Sequence, residues 1–263
     1  MKLCAHTNSV VNISVKNQMK LLKENDFSAV MIFWYKDLFD TSVNEFPGEA
    51  RKLGLEIESV HLPFSNEDYL WIDGIDGDIV QDQIINYLET CSRHQIEKAV
   101  MHPIGWKSKI VPSQIGVNRY NRILEKAEKY NIELALENTS GTIALDYLFK
   151  SITSPKLRFC YDNGHEHIFK ENEKLLMKYA SKLSVIHLTD NNGVEDQHLL
   201  PFSGTVDWST VMDELYKVNY SGLLSFEVGW QHRSKVKEYT DAEYIRELKR
   251  RADKLLKLNP KQY

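Results

Sequence analysis

Imidazoles and carboxylates recur along this chain at the ends of short apolar runs, in the order His61, His102, Glu137, Asp162, His165, His187, Asp196, His198 and Glu227. The runs ESVHLP, KAVMHP, ELALEN, RFCYDN, SVIHLT and LLSFEV each carry one such group near their end. Neutral imidazole and carboxylate are ligands for zinc, manganese and similar divalent ions, and the thiolates that bias a site toward structural zinc are absent from the set. The expected cofactor is a catalytic divalent ion: manganese, cobalt, magnesium or zinc. Within the set, Glu137 and Glu227 suit proton transfer to and from opposite faces of one carbon, provided they face each other across a bound substrate.

Groups this far apart in sequence meet only if their strands end in one place. Apolar, β-rich runs near 2–6, 29–33, 57–61, 98–102, 132–137, 157–162, 183–187 and 222–227 alternate with helically spaced stretches. Examples of the latter are Val80, Ile84, Tyr87, Leu88 and Cys91, then Tyr120, Ile123, Leu124, Ala127 and Tyr130. Asp207 before WSTVMDELY marks a helix start, and Thr240 with Glu243 makes a capping box for the last helix. Strand followed by helix, repeated eight times, predicts a parallel sheet that is either closed or open and doubly wound. An open sheet has its crevice at one switch point, whereas strands 3 to 8 here all end in ligand types, which needs a ring. The expected fold is α/β, a (β/α)8 TIM barrel forming a single domain over residues 1–263, with no Pro/Gly/Ser-rich linker to divide it.

The 42% hydrophobic content suffices for one large core, and the net charge of −4 weighs against binding polyanions over a broad surface. Cys4, Cys91 and Cys160 lack zinc-knuckle spacing and are expected as buried thiols in a reducing compartment. The start MKLCAHTNSV lacks a secretion signal, and the apolar run Ala29 to Tyr35 is too short to span a bilayer. A cytoplasmic protein without a membrane partner is expected. Exposed barrel ends leave room for a homo-oligomer.

Asp162-Asn163-Gly164-His165 sets a second ligand type three residues after the first. A tight turn there either brings both to one ion or merely starts a helix. Asp196 and His198 point the same way if their loop is extended. His6 is expected on a pocket wall, and His94, His167 and His232 at the surface or behind the site. Trp34, Phe64, Trp71, Trp106, Phe202 and Trp230 follow strand ends, where they suit the apolar faces of a small polyol or simply join the core. Lys107 and Lys109 suit a phosphate or carboxylate on such a substrate, with a solvated loop as the default reading.

HLPF at 61–64, ELALEN at 133–138, CYDNGH at 160–165 and HLTDNNGVEDQHLLPFSGTVDW at 187–208 resemble the xylose isomerase-like barrel superfamily. That superfamily holds sugar isomerases and epimerases together with the endonuclease IV class of DNA-repair enzymes, and the resemblance covers nearly the whole chain. It implies a one-metal core of Glu137, Asp162, His187 and Glu227. It also implies a wider, multinuclear set that adds His61, His102, His165, Asp196 and His198, since all nine types of the nuclease branch's three-zinc site occur in matching order. The ligands leave both branches open.

The loops favour the sugar branch, because a nuclease must hold a duplex whose phosphates dominate its affinity. PFSNEDYLWIDGIDGD after strand 3 carries Glu67, Asp68, Asp73, Asp76 and Asp78 without a basic residue, and the loop after strand 7 is likewise acidic. The basic run Lys249-Arg250-Arg251, with Lys254 and Lys257, is expected away from the mouth, complementing a helix C-terminus. Two departures stand out. Phe202 in Pro201-Phe202-Ser203-Gly204 replaces a glycine usual in relatives, which predicts a reshaped loop and a narrower pocket. Ile104 follows His102-Pro103 where the nuclease branch commonly has glycine.

The expected activity is thus that of a divalent-metal-dependent isomerase or epimerase of a small sugar or related hydroxy-carbonyl compound, with the ion acting as Lewis acid. Glu137 and Glu227 would be catalytic; His61, His102, His165, His198, Trp106 and Lys107 would meet the substrate or hold the carboxylates. A dehydratase of this class would share the first steps. The alternative is an endonuclease IV-like zinc phosphodiesterase acting at abasic DNA. A non-catalytic sugar-binding barrel would need neither the paired glutamates nor so many imidazoles beside an ion.

Overall fold

The computed structural model describes residues 1–10, 12–34, 42–170, 173–229 and 239–258. Trp230 and His232, singled out above, lie outside the described residues. The strands are β1 (Leu3–His6), β2 (Ala29–Phe33), β3 (Glu56–His61), β4 (Lys98–Met101), β5 (Glu133–Glu137), β6 (Leu157–Asp162), β7 (Leu183–His187) and β8 (Leu224–Phe226). Between and after them come α1 (Val15–Glu24), α2 (Ser42–Lys52), α3 (Ile75–Arg93), α4 (Gln114–Lys129), α5 (Ile143–Ser151), α6 (Asn163–Phe169), α7 (Leu175–Lys178), α8 (Trp208–Lys217) and α9 (Asp241–Leu255). A short 3-10 turn, Glu67–Trp71, follows β3.

Each strand pairs in parallel with its neighbour in chain order, and β1 also pairs with β8. The ring closes between β7 and β8 through little more than one bridge. There the Leu188 N–H donates to the Ser225 carbonyl at 2.8 Å and the Glu227 N–H to the Leu188 carbonyl at 3.0 Å. The molecule is a (β/α)8 TIM barrel. Alternation along the strands sorts the side chains: Val100, Ala135, Cys160 and Val185 form one small buried cluster, while Leu134, Leu136, Phe159, Tyr161 and Ile186 join the main core. By the same period of two, Glu137, Asp162 and His187 stand directly above Ala135, Cys160 and Val185 inside the barrel.

Helix starts follow the sequence signals. The Asp207 side chain caps α8 by accepting the Ser209 and Thr210 N–H groups, and Thr240 and Glu243 cap α9 reciprocally. All three cysteines are free and buried, and among the described residues no helix is long and apolar enough to cross a membrane.

Two charge expectations gain detail. The basic run of α9 leaves Lys254 in the last turn, where it complements the helix C-terminus, while its earlier members are paired along the helix. Lys249 pairs with Asp253, while Arg250 and Arg251 pair with Glu247 along the helix. Arg251 also donates to the Pro201 carbonyl at 2.7 Å, pinning the loop after β7. Not all the acidic residues after β3 are free to repel a polyanion. Asp68 accepts the Gly105 N–H at 2.9 Å and the Ser108 hydroxyl at 2.8 Å, and Asp78 pairs with Arg119 at 3.1 Å. These carboxylates tie loops together.

Candidate active site and metal centre

Where β5, β6 and β7 end, side-chain amides carry the sheet ladder one step further. Asn138 donates to the Asp162 carbonyl and accepts the Asp162 N–H, both at 2.8 Å. Asn163 does the same to Thr189 at 2.9 Å in each direction, and Asn191 donates to the Gly164 carbonyl at 2.9 Å. Backbone groups that would otherwise fray are satisfied, so Glu137, Asp162 and His187 project from fixed positions.

One ligand-type atom each from Glu137, Asp162, His187 and Glu227 lies within 4.8 Å of the other three, and all four side chains are buried. His187 Nδ1 is 2.6 Å from Glu227 Oε2 and 3.4 Å from Glu137 Oε2. Neither His187 ring nitrogen, nor Glu227 Oε2, nor Asp162 Oδ2 makes a hydrogen bond of acceptable geometry. Close approach without alignment is what atoms do when their lone pairs aim at a common point between them. Asp162 divides its work. Its Oδ1 accepts the His165 N–H at 2.6 Å and caps α6, leaving Oδ2 for the cluster. The turn therefore starts a helix and also delivers a ligand-type atom. A divalent ion fits this donor set.

The surrounding imidazoles point to the same charge deficit. His61 Nδ1 lies 2.9 Å from the Leu62 carbonyl and His198 Nδ1 3.0 Å from the Glu227 carbonyl. A carbonyl only accepts, so each Nδ1 carries hydrogen, and in the neutral ring each Nε2 then offers a lone pair. Yet His61 Nε2 faces Glu137 Oε2 at 3.2 Å, and His198 Nε2 faces Asp196 Oδ2 at 3.0 Å. At His198 a proton answers the Asp196 carboxylate, whereas between His61 and Glu137 a cation would serve.

His165 links the two halves of the site, with Nδ1 3.0 Å from Glu137 Oε1 and Nε2 3.5 Å from Asp196 Oδ2. His102 Nε2 stands 3.7 Å from Glu137 Oε2. His61, His102 and Glu137 form a second group within 4.8 Å.

The protonation equilibria follow. Burial, the largest single influence, would raise the Glu137 and Glu227 carboxyls, but the facing imidazoles together outweigh it, His187 at both, with His165 and His61 at Glu137 and His198 at Glu227. Glu227 falls to about 2. Burial pushes Asp162 up to about 7, because its carboxylate neighbours oppose the help from His165. Burial takes His102 down to about 3, whereas for His198 the Asp196 carboxylate overcomes burial and lifts the ring to about 10.

The cluster opens into a cavity of about 240 Å³ lined by Phe64, Glu67, His102, Trp106, His165 and Asp196, among others, with Glu137, Glu227 and His198 on its wall. Trp106 stacks obliquely on His165 at 5.0 Å. His6 is buried with Nε2 2.7 Å from the Val228 carbonyl, behind the site.

Other expected residues sit elsewhere. Lys107 is exposed, its ammonium 5.8 Å from the centre of the Trp106 ring, and it does not line the cavity. Trp71 is buried, donating to the Pro103 carbonyl at 2.8 Å, and Trp34 packs on Tyr87. Phe202 keeps the left-handed backbone that glycine would favour, at φ 66°, and turns its ring onto Trp208 and beneath Lys254. It therefore does not narrow the pocket. Asp196 and His198 meet even though His198, at φ 46°, breaks the extended path expected of their loop. Asp190 holds that loop by accepting from Ser203, Val206 and the Trp208 indole.

Two site residues escape the sequence reading: Cys160, beside Glu137 and His187, and Glu67 on the cavity wall. A lone thiol inside a strand and one acid in an acidic loop give no periodic signal. Alternation could have found Cys160, two residues before Asp162.

A parallel eight-stranded ring with a buried cluster of ion-ligand types at its mouth defines a TIM barrel with a candidate metal centre. The chain belongs to the xylose isomerase-like TIM barrel family, whose model matches residues 19–254. It is 26% identical over 186 residues to an uncharacterized protein of Methanocaldococcus jannaschii, covering 64% of this chain and 63% of that protein. Across the curated relatives it matches, the chain spans between 33% and 63% of their length. Among solved structures it is similar to a D-psicose 3-epimerase with D-tagatose from Clostridium cellulolyticum H10, with TM-score 0.75 and 15% identity over 99% of this chain and 100% of that one. It is also similar to the IolI protein with a bound zinc atom, with TM-score 0.78 and 17% identity over 97% of this chain and 98% of that one. At these identities the structural likeness speaks for the fold.

Proposed function

We propose that this barrel is a divalent-metal-dependent isomerase or epimerase of a small sugar or related hydroxy-carbonyl compound. The observation that carries the reading is the convergence of Glu137, Asp162, His187 and Glu227 within 4.8 Å, several of their atoms unpartnered, with Glu137 and Glu227 on the wall of a small cavity. Manganese, cobalt, magnesium or zinc held by those four groups would supply Lewis acidity toward a carbonyl and its neighbouring hydroxyl.

The chain's own groups do the rest. Glu137 takes the proton from the carbon beside the carbonyl, with its other oxygen steadied by His165. Glu227, ionised at rest on the same wall, first takes a proton from a substrate hydroxyl and delivers it to the other face of the carbon, and Glu137 gives its proton back to that oxygen. Asp196 holds His165 and His198 in place, and His102 and Trp106 present a hydroxyl partner and an apolar face to the substrate. Epimerases among the structural neighbours, including one described as an L-ribulose 3-epimerase, support the substrate class.

Incubating each ion-loaded form with neutral ketoses in deuterated water should introduce deuterium beside the carbonyl, read by NMR. Glu137→Gln should slow that exchange by about 10²-fold or more while circular dichroism stays unchanged. About three zinc ions per chain together with cleavage of an abasic duplex would overturn the reading in favour of a phosphodiesterase.

A further inference from the structure

Glu67 lies outside the four-residue cluster, yet it lines the same cavity. The residue is 6% exposed, and Oε1 accepts the Ser65 N–H at 2.9 Å. Withdrawing a carboxylate from water is costly unless a cation or further donors answer it; among the described residues no Lys or Arg lines this cavity, and the His165 and His198 imidazoles on its wall face Glu137 and Asp196 instead. The turn that carries Glu67 is clamped. The Arg119 guanidinium collects the carbonyls of Tyr69, Leu70, Ile72 and Gly74, and Asp68 is tied to Gly105 and Ser108. The backbone that carries Glu67 is thus fixed, and the Ser65 N–H orients its carboxylate. Beside it, Phe64 and Trp106 offer ring faces to C–H groups.

We infer that Glu67 is a specificity-determining residue: it accepts a hydrogen bond from a substrate hydroxyl away from the carbonyl and repels a phosphate or carboxylate at that end. The inference rests on the sugar isomerase or epimerase reading and narrows it to uncharged polyhydroxy substrates. A buried acceptor discriminates in two ways. A partner lacking the hydroxyl leaves it unsatisfied, and an anion meets unscreened like charge in a poorly solvated pocket.

The test uses the ion-loaded full chain and two non-reacting probes, a hexitol and the same hexitol 6-phosphate, titrated calorimetrically. The wild type should bind the neutral hexitol more tightly than the phosphate. Glu67→Ala should weaken hexitol binding about 10- to 100-fold, the worth of a hydrogen bond to a charged group, and leave the phosphate no weaker, so that the preference collapses. Glu67→Gln is nearly isosteric and covers the case in which the alanine variant does not fold. It should narrow the preference by strengthening phosphate binding. Bound-ion content should stay at the wild-type level in both.

A wild type that binds the phosphate as tightly as the hexitol, or variants that leave the ratio unmoved, would overturn the inference. Deuterium exchange decides the parent reading separately. Glu137-dependent exchange with an unmoved binding ratio removes Glu67 alone. A responsive ratio without exchange on any ketose removes the isomerase or epimerase reading and leaves Glu67 as a sugar-binding group.

Discussion

Asp162 carries two duties on two oxygens, and they can be separated. Oδ1 caps α6 through the His165 N–H, while Oδ2 is buried and without a hydrogen bond. Asparagine caps a helix about as well as aspartate but presents an amide in place of one oxygen. Asp162→Asn should therefore leave the chelated protein's unfolding free energy within about 1 kcal/mol of wild type. It should weaken ion binding by more than about tenfold, the lower bound for losing even an outer partner of a metal ligand. Equal ion affinity in the two proteins, measured by competition with a chromophoric chelator, would remove Asp162 from the centre.

At this scale much of the site was legible, because ligand types at strand ends are visible in any reading of period two. The two readings open for Lys107 and for Trp71 have one cause. Position after a strand does not fix which way a loop residue turns, and here one reaches solvent and the other a backbone carbonyl beneath the mouth.

Strand ends acquire their precision from the residues that come next. Asn138 and Asn163 follow Glu137 and Asp162 directly, and each replaces a pair of ladder hydrogen bonds with an amide side chain. Asn138→Ala would strand the buried Asp162 backbone N–H and carbonyl. Denaturant unfolding should show a loss of about 1–3 kcal/mol, the cost of leaving buried polar groups unsatisfied. Ion affinity should fall with it, since two ligand positions lose their brace. A full loss of stability with unchanged affinity would separate the amides from the site.

The strands and their order could be read from apolar runs, and α8 and α9 from their capping residues. The amide ladder could not, because an asparagine after a strand reads equally well as an ordinary turn residue. The clamp on the loop after β3 was also hidden, since it depends on Arg119, distant in sequence, reaching four carbonyls.

At the scale of the whole barrel, the hydrogen-bonding is uneven. β8 is three residues long and meets β7 through a single bridge, whereas β2 and β3 share five register pairs. His187 and Glu227, from opposite sides of that thin seam, approach to 2.6 Å. An ion bound by both would cross-link the weakest join in the ring. A ligand that binds only the folded state stabilises it by about 2.7 kcal/mol at a hundred times its Kd. Chelation should thus lower the melting temperature. In hydrogen exchange, the amides of Leu188 and Glu227 should speed up more than those of Val30 and Ile32. Uniform acceleration around the ring would argue against a local clasp. An ion in that position would be a hoop on the cask as well as a reagent, and protein starved of it would stand loosened along one stave and open to proteases.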